Sequence, residues 1–219
     1  MLSFHTVMLL GFTPHRTLYP TTRALQTGTL PVTEPHKLYY EVHGKAGGAP
    51  ALFLHGGPGA GCAVRHAGFF DPKHYQIVLF DQRGCGRSTP TGELQDNNAA
   101  ELVQDCERLR EHLGFDRVAR GFVNAEGLLS TAVPRIREAR IPCIAVHGAN
   151  DLICPPLTAY ELHEAWPEME LRVVPGAGHS MYDSQLQAEV LRATDLLRTV
   201  GAVSTPGPTQ SVAPSMVAP

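Results

Sequence analysis

The stretch ALFLHGGPG, residues 51–59, decides which class of fold we expect for the whole chain. It begins with a short apolar run, residues 51–55, and glycines end that run at once. Such a run is typical of a strand buried on both faces, as in a parallel sheet covered by helices. Glycine directly after the strand permits sharp turns and close approach of the backbone to a ligand. The stretch therefore predicts an α/β fold with a functional loop at this point.

Strand-like and helix-like segments alternate on both sides of this stretch. The alternation indicates a mainly parallel sheet with helices on both faces. In such sheets functional residues collect in the loops beyond the carboxyl ends of the strands. Further strands are predicted at 38–43, 76–81, 142–148 and 170–174, of which the one at 142–148 is expected to be buried. The start of another strand is predicted at 115–118, and helices are predicted at 98–113, about 159–166 and 184–199.

The composition excludes several classes of protein. A chain of 219 residues with 43% hydrophobic and 18% charged residues has the balance of one globular domain. The net charge is −3 and the basic residues are scattered, so we expect neither nucleic acid nor an acidic membrane surface as a partner. No apolar run is long enough to span a bilayer. The five cysteines lack metal-ligand spacing, which favours reduced thiols in the cytoplasm and no metal site built from them.

The two ends of the chain differ from its middle. Residues 1–17 are interpreted as a leader, 18–200 as the domain and 201–219 as a disordered tail rich in Pro, Gly and Ser. Residues 1–33 contain no Asp or Glu, which faintly resembles an organelle transit peptide, so an organelle is the alternative to the cytoplasm.

Three loops that follow predicted strands carry residues suited to hydrolysis. The N–H groups of Gly56 and Gly57 would approach a substrate oxygen; a tight turn is the alternative, but the Pro-Gly that follows favours a dedicated loop. Asp151 follows the strand at 142–148, and an Asx turn or helix cap is its alternative role. His179 follows the strand at 170–174, and the alternative is a histidine in a surface loop.

Asp151 and His179 gain significance as a pair. They stand 28 residues apart, each beyond the end of its own strand, in the chain order that α/β-hydrolases use for the acid and the base of a catalytic triad. In a triad the carboxylate fixes the tautomer of the imidazole, and the imidazole takes the proton of the nucleophile. The order and placement therefore predict the acid–base half of a triad.

A longer stretch resembles a known family. FDPKHYQIVLFDQRGCGRSTP, residues 70–90, closely resembles the DQRGCGRS segment of proline iminopeptidases, and HGGPG at 55–59 resembles their oxyanion loop. Segments 101–118 and 147–180 resemble the helix before their serine strand and their Asp and His loops. The resemblance extends from about residue 18 to residue 198.

The resemblance implies a fold, an activity and a set of roles. It implies an α/β-hydrolase fold and removal of N-terminal proline from peptides without a cofactor. Asp151 and His179 would be the acid–base pair, and Gly56 and Gly57 would form the oxyanion hole. The substrate would be a peptide with an N-terminal proline.

The resemblance is interrupted near residues 118–122. Family members continue here into a G-x-S-x-G elbow, a further strand and a helical cap, whereas this chain continues with ARGFVNAEG. We therefore expect a truncated α/β-hydrolase fold with the nucleophile and the cap domain absent. The elbow strand would lie in the middle of the sheet, so its neighbours must either pair directly or leave buried backbone groups unpaired.

No other residue is an obvious replacement for the missing serine. None of the eight serines has glycine at both −2 and +2. Cys85 has glycine on each side, and Cys62 lies beside the oxyanion loop and is the least implausible thiol. Two hypotheses follow: an impaired prolyl aminopeptidase, or a truncated isoform that acts as a binding or regulatory partner or has no function.

Overall fold

A computed structural model of the chain describes residues 16–57, 59–116, 119–120, 133–138 and 140–200. The predicted leader and tail lie almost entirely outside these ranges. Strands and helices follow one another along the chain, and one 3₁₀ helix, Val64–Phe69, joins β3 to β4. The elements are β1 (Gln26–Pro31), β2 (Lys37–Gly44), β3 (Ala49–Phe53), β4 (Tyr75–Phe80), α1 (Ala99–His112), β5 (Ala119–Arg120), α2 (Val133–Glu138), β6 (Ile144–Gly148), α3 (Leu157–Ala165), β7 (Glu170–Val174) and α4 (Ser184–Val200).

The first five strands form one sheet in the order β1-β2-β4-β3-β5. β1 pairs with β2 and β2 with β4 in antiparallel orientation, whereas β3 is parallel to both β4 and β5. The expectation of a mainly parallel sheet therefore holds only for its second half. A short turn joins β1 to β2, and so short a connection can join only antiparallel strands.

The core of this sheet lies on both of its faces, and β4 explains why. Val78 and Phe80 belong to one buried cluster with Leu109 of α1, while Ile77 and Leu79 belong to the cluster on the other face. Successive side chains of a strand point to opposite faces, so a strand covered on both sides must be apolar throughout. The apolar runs of the sequence are thus explained by burial on two faces.

β6 and β7 form a second, parallel pair in register from Ile144↔Glu170 to Gly148↔Val174. In the part of the chain that the structure describes, β6 pairs with no strand other than β7. The four residues 144–147 are only half-buried, so the prediction of a buried strand at 142–148 was wrong on this point. Direct pairing of this segment with the earlier strands is not found among the described residues.

The strand predicted to start at 115–118 also differs. Phe115 and Asp116 follow α1 without strand structure, Arg117 and Val118 lie outside the described residues, and β5 consists of Ala119–Arg120. The strand begins later than predicted because the Phe115 N–H donates to the carbonyl of Arg110, which keeps Phe115 in contact with the last turn of α1.

α4 connects the two sheets. It packs on β6 and β7 and also on the 3₁₀ helix. The Tyr19 hydroxyl donates to Asp195 of α4 at 2.8 Å, and the Thr194 hydroxyl donates to the carbonyl of Phe69 at 2.9 Å. Arg198 pairs with Asp71 at 2.6 Å. Among the described helices none is both long enough and apolar enough to cross a membrane.

Candidate active site

Asp151 and His179 lie in contact. The last residues of β6 and β7, Gly148 and Val174, are paired neighbours, so the loops that follow them start at the same edge. The Nδ1 atom of His179 lies 2.9 Å from Oδ2 of Asp151. A carboxylate can only accept, so Nδ1–H donates and the neutral ring carries its lone pair on Nε2. Nε2 is the atom that takes a proton in a triad.

Asp151 is buried, with 6% of its surface exposed. Burial alone would raise the pKa of this carboxyl, but hydrogen bonds from the Cys154 N–H, from His179 and from the Ile153 N–H hold its pKa below the usual value. The two N–H groups reach Oδ1 at 2.9 Å each. The turn role and the histidine-pairing role, which the sequence left as alternatives, are therefore both filled by one side chain.

The two loops pack backbone against backbone. A Cβ atom on Gly148 would lie 2.2 Å from the carbonyl oxygen of Gly178 and 2.6 Å from that of Ala177. The Asn150 N–H donates to the carbonyl of Ala177 at 2.9 Å. Gly148 thus lets the Asp151 loop approach the His179 loop, a role that the sequence analysis missed. The sequence does hold a signal for this role, because a glycine ends the apolar strand β6 three residues before Asp151.

A second histidine stands beside the carboxylate. Nε2 of His147 lies 2.9 Å from the carbonyl oxygen of Cys154 and 3.8 Å from Oδ2 of Asp151. Its position on β6 made it indistinguishable in sequence from a core residue. Among the described residues no group of three or more His, Cys, Asp or Glu side chains is arranged to hold a metal ion.

The oxyanion-loop candidates Gly56 and Gly57 follow β3 and are positioned by the buried His55. His55 Nδ1 donates to the carbonyl of Gly56 at 2.7 Å, and its Nε2 accepts from the N–H of Gln82 at 3.0 Å. Within the described ranges the N–H groups of Gly56 and Gly57 have no hydrogen-bond acceptor. They are therefore available to an oxygen of a ligand.

Gly56 and Gly57 line a cleft of about 480 Å³. Its lining includes neither Asp151 nor His179, and in the described part of the chain no hydrogen bond joins the glycines to that pair. The structure thus brings together the acid and the base, whereas the oxyanion candidates line a cleft whose lining does not include that pair. The lining residues are Leu54, His55, Gly56, Gly57, Gln82, Arg83, Asn97, Asn98, Ala99 and Leu102.

The first arginine of the DQRGCGRS loop is an internal anchor. Arg83 is 2% exposed and makes a two-point contact with the fully buried Asp105 of α1, with Nε–Oδ2 and Nη2–Oδ1 distances of 2.5 and 2.8 Å. Its Nη2 also reaches Glu101 at 2.9 Å. The loop is thereby fixed to the helix.

Asp81 and Arg87 attach the rest of this loop to β2 and to the segment that follows the HGGPG loop. Asp81 accepts from the Cys62 N–H at 2.6 Å and from Nε of Arg87 at 2.8 Å. Burial favours a raised pKa for Asp81, but these hydrogen bonds, with the Arg87 N–H, hold it below the usual value. Arg87 also pairs with Glu41. The motif that carries the resemblance is therefore a structural one.

Two of the serines in the described residues, Ser88 and Ser180, have hydrogen-bond partners of their own. The Ser88 hydroxyl donates to the carbonyl of Asp81 and accepts from the Tyr39 N–H. The Ser180 hydroxyl accepts from the Tyr182 N–H at 3.3 Å.

The thiol candidates are Cys62 and Cys85. Cys62 donates its S–H to the carbonyl of Phe80, and burial raises its thiol pKa to about 12. A thiolate is therefore scarce at neutral pH, which removes the chemical basis for Cys62 as a nucleophile. Cys85 is half-buried.

Comparisons with known proteins agree on fold and family. A family model described as "alpha/beta hydrolase fold" matches residues 50–120. A solved monoglyceride lipase variant from Saccharomyces cerevisiae aligns with a TM-score of 0.60 and 14% identity, over 85% of this chain and 98% of its own. That degree of likeness establishes the α/β-hydrolase fold.

Several relatives are named proline iminopeptidase, and two of them illustrate the range of similarity. The one from Xanthomonas citri is 30% identical over 82% of this chain and 99% of its own length, and the one from Arabidopsis thaliana is 52% identical over 47% of this chain and 27% of its own. The Xanthomonas alignment extends over 309 positions against 219 residues in this chain, so at least 90 of its positions have no residue here. The chain belongs to the proline iminopeptidase family of α/β-hydrolases.

Proposed function

We propose that this chain is a proline iminopeptidase-type hydrolase whose cleavage of N-terminal proline from peptides is strongly impaired, because it lacks the serine nucleophile. One observation carries the proposal. Asp151 and His179 are assembled at 2.9 Å, yet no serine or cysteine among the described residues is hydrogen-bonded to the imidazole. The positions of the Xanthomonas alignment that lack a counterpart are consistent with an internal loss of the elbow and cap.

In a complete site each retained residue has a defined step. His179 Nε2 takes the proton of the serine as it attacks the carbonyl next to proline, and Asp151 stabilises the imidazolium. The N–H groups of Gly56 and Gly57 stabilise the oxyanion, together with the N–H that follows the nucleophile. Loss of that one donor costs about 2.7–4 kcal/mol, and loss of the nucleophile costs on the order of 10⁶ in rate. The loss of the serine dominates.

The names of the relatives supply the substrate class: a peptide with proline at its amino terminus. None of the five cysteines forms a disulfide, which supports the cytoplasm as the compartment that we propose.

The test is hydrolysis of prolyl 4-nitroanilide by the purified chain and by its His179→Ala variant, with the Xanthomonas relative as positive control. We expect both forms of this chain to remain at the rate of the buffer, roughly 10⁶-fold below a complete triad. Release of nitroaniline by the chain that disappears in His179→Ala would mean that the pair has a nucleophile and that the proposal is wrong.

A second candidate is a binding or regulatory partner of a complete enzyme. It is favoured by β6, which is half-buried and pairs only with β7 among the described strands. A strand with a free edge can pair with another chain. Co-purification of the tagged chain with the complete enzyme from the same genome tests this function, and independent elution of the two proteins at micromolar concentration would exclude it.

A further inference from the structure

We propose that His179 is itself a nucleophile toward activated esters, so that this chain hydrolyses aryl esters of small carboxylic acids without any serine. The activity goes beyond the proposed peptidase function and does not rest on it. It uses only Asp151, His179 and the surface beside them.

The orientation of the imidazole supports the proposal. Its Nδ1–H is held by Asp151 at 2.9 Å, which leaves the lone pair on Nε2. The His179 side chain is 55% exposed, and Nε2 has no hydrogen-bond partner in the described part of the chain. A ligand in solution therefore has access to the lone pair.

The buried carboxylate makes this imidazole different from an ordinary surface histidine. Asp151 is 6% exposed and accepts two backbone N–H groups besides the imidazole, so the ion is fixed in place. A carboxylate bonded to the second ring nitrogen fixes the tautomer of the imidazole, and it stabilises the positive ring that forms after attack. The fixed lone pair and this charge stabilisation both favour attack by Nε2.

The loop that carries Asp151 presents two large apolar side chains to solvent. Leu152 is 90% exposed and Ile153 is 72% exposed, directly after Asp151 in the chain. Two large apolar side chains at such exposure form a contact surface for an apolar part of a ligand. The substrate class is therefore a small ester with an apolar aryl leaving group.

The reaction balances with water as the only co-reactant. The lone pair of Nε2 forms a bond to the acyl carbon, the bond from that carbon to the aryl oxygen breaks, and the aryl oxide leaves with the electron pair. Water then attacks the N-acylimidazole, the C–N bond returns its electrons to Nε2, and the proton of the water goes to solvent. The products are one carboxylic acid and one phenol.

The leaving group limits the substrate. A phenol ionises near pH 10 and leaves readily as the oxide, whereas the amine of a peptide must first be protonated by an acid positioned beside it. The proposal therefore expects hydrolysis of 4-nitrophenyl acetate and none of prolyl 4-nitroanilide by the same preparation.

The experiment measures the rate of ester hydrolysis and identifies the residue that becomes acylated. Release of 4-nitrophenol from 4-nitrophenyl acetate is measured at pH 7.5 for the full chain, for His179→Ala and for Asp151→Asn, and acid-quenched samples are analysed by peptide mass spectrometry. His112→Ala is the matched control, because His112 is exposed and its partner is the Tyr40 hydroxyl instead of a carboxylate.

The expected result is an acetyl group on His179 in the quenched chain. We also expect a rate that falls to background in His179→Ala, falls about tenfold in Asp151→Asn and stays unchanged in His112→Ala; the tenfold loss corresponds to one charge-assisted hydrogen bond. Equal rates for the chain and His179→Ala, a rate no greater than that of equimolar imidazole, or acetyl found only on other residues would overturn the proposal. Acetylation of a serine would instead contradict the proposal that the chain lacks a serine nucleophile.

Discussion

At the scale of single residues, the carboxylates and thiols of this chain are distinguished by their surroundings. Asp151 and Asp81 are both nearly inaccessible, and both are kept ionised by backbone N–H groups together with a cationic or imidazole partner. Asp151 faces an exposed imidazole, whereas Asp81 faces Arg87 inside the loop. Only the pairing of Asp151 with His179 leaves a reactive atom, Nε2 of the imidazole, accessible to a ligand.

Cys62 and Cys154 are expected to react very differently with iodoacetamide. Burial is the largest cause of the rise in the pKa of Cys62 to about 12, while Cys154 is exposed. At pH 8 peptide mapping should find Cys154 alkylated and Cys62 unmodified in the folded chain, because the thiolate is the reacting form.

The sign of the pH effect follows from the same pKa. A thiol whose pKa is raised by folding stabilises the folded state below its ordinary pKa, and that contribution is lost as the pH rises toward about 12.

In the iodoacetamide experiment, alkylation of Cys62 and Cys154 at equal rates at pH 8 would contradict the burial of Cys62. Urea-unfolded protein is the control for complete reaction.

Arg83 is expected to be essential for stability. Arg83→Met leaves Asp105, which is fully buried, with only the half-exposed Arg108 as a cation partner in α1. Breaking a buried pair from one side costs about 3–5 kcal/mol. Urea unfolding should show this loss for Arg83→Met and less than about 1 kcal/mol for the control Arg108→Met. Similar losses for the two variants would mean that Arg83 is not the anchor.

At the scale of elements, the position of the Asp–His pair depends on how closely the ends of β6 and β7 approach. The closeness comes from Gly148, whose missing side chain admits the carbonyls of Ala177 and Gly178. The carbonyls are backbone atoms and cannot rotate away. The loops must separate if any side chain is added at Gly148.

Gly148→Ala is therefore expected to cost about 1–3 kcal/mol in urea unfolding, the range for overpacking. The matched control is Gly56→Ala, because a Cβ at Gly56 meets no atom within 4 Å. We expect the control to change stability by less than about 0.5 kcal/mol. A neutral Gly148→Ala would show that the two loops are not packed as described.

The elements also show how much the sequence determines. α1 was predicted from the spacing of apolar residues and is found at Ala99–His112, with the Asn98 side chain accepting from Glu101 N–H and Gly114 at φ 71°. These signals are local, within four residues of each other, so the sequence carries them in full. β7 was predicted correctly at Glu170–Val174 for the same reason.

Features that depend on distant partners were not predicted. β1 was missed because it is largely exposed and reads QTGTLP, with little apolar content. The half-buried state of β6 depends on which strands pair with it, and its own five residues do not encode that. Arg83 meets Asp105 across 22 residues of chain, so its anchoring role had no local signal.

At the scale of the whole molecule, two sheets of unequal burial are held together by α4. All but one of the residues of β4 are buried, whereas all but one of those of β6 are half-buried. Polar contacts of α4 with Tyr19, Phe69 and Asp71 attach the second sheet to the first. The second sheet has less buried apolar area to stabilise it.

Hydrogen exchange should therefore separate the two sheets. We expect the amides of β4 to exchange with the free energy of global unfolding, and those of β6 and β7 to exchange through a smaller opening, because protection follows burial and local contacts. Native-state exchange measured by mass spectrometry at several urea concentrations distinguishes the two. One common exchange free energy for β4 and β6 would show that the molecule opens as a single unit.

Labelling with a fluorophosphonate probe, followed by peptide mapping, tests whether this family member retains an activated serine. We expect no phosphonylated serine in this chain under conditions that label the Xanthomonas citri relative completely, because no serine hydroxyl among the described residues is hydrogen-bonded to His179. A phosphonylated serine whose labelling disappears in His179→Ala would contradict the account, since it would reveal a working nucleophile beside the Asp151–His179 pair.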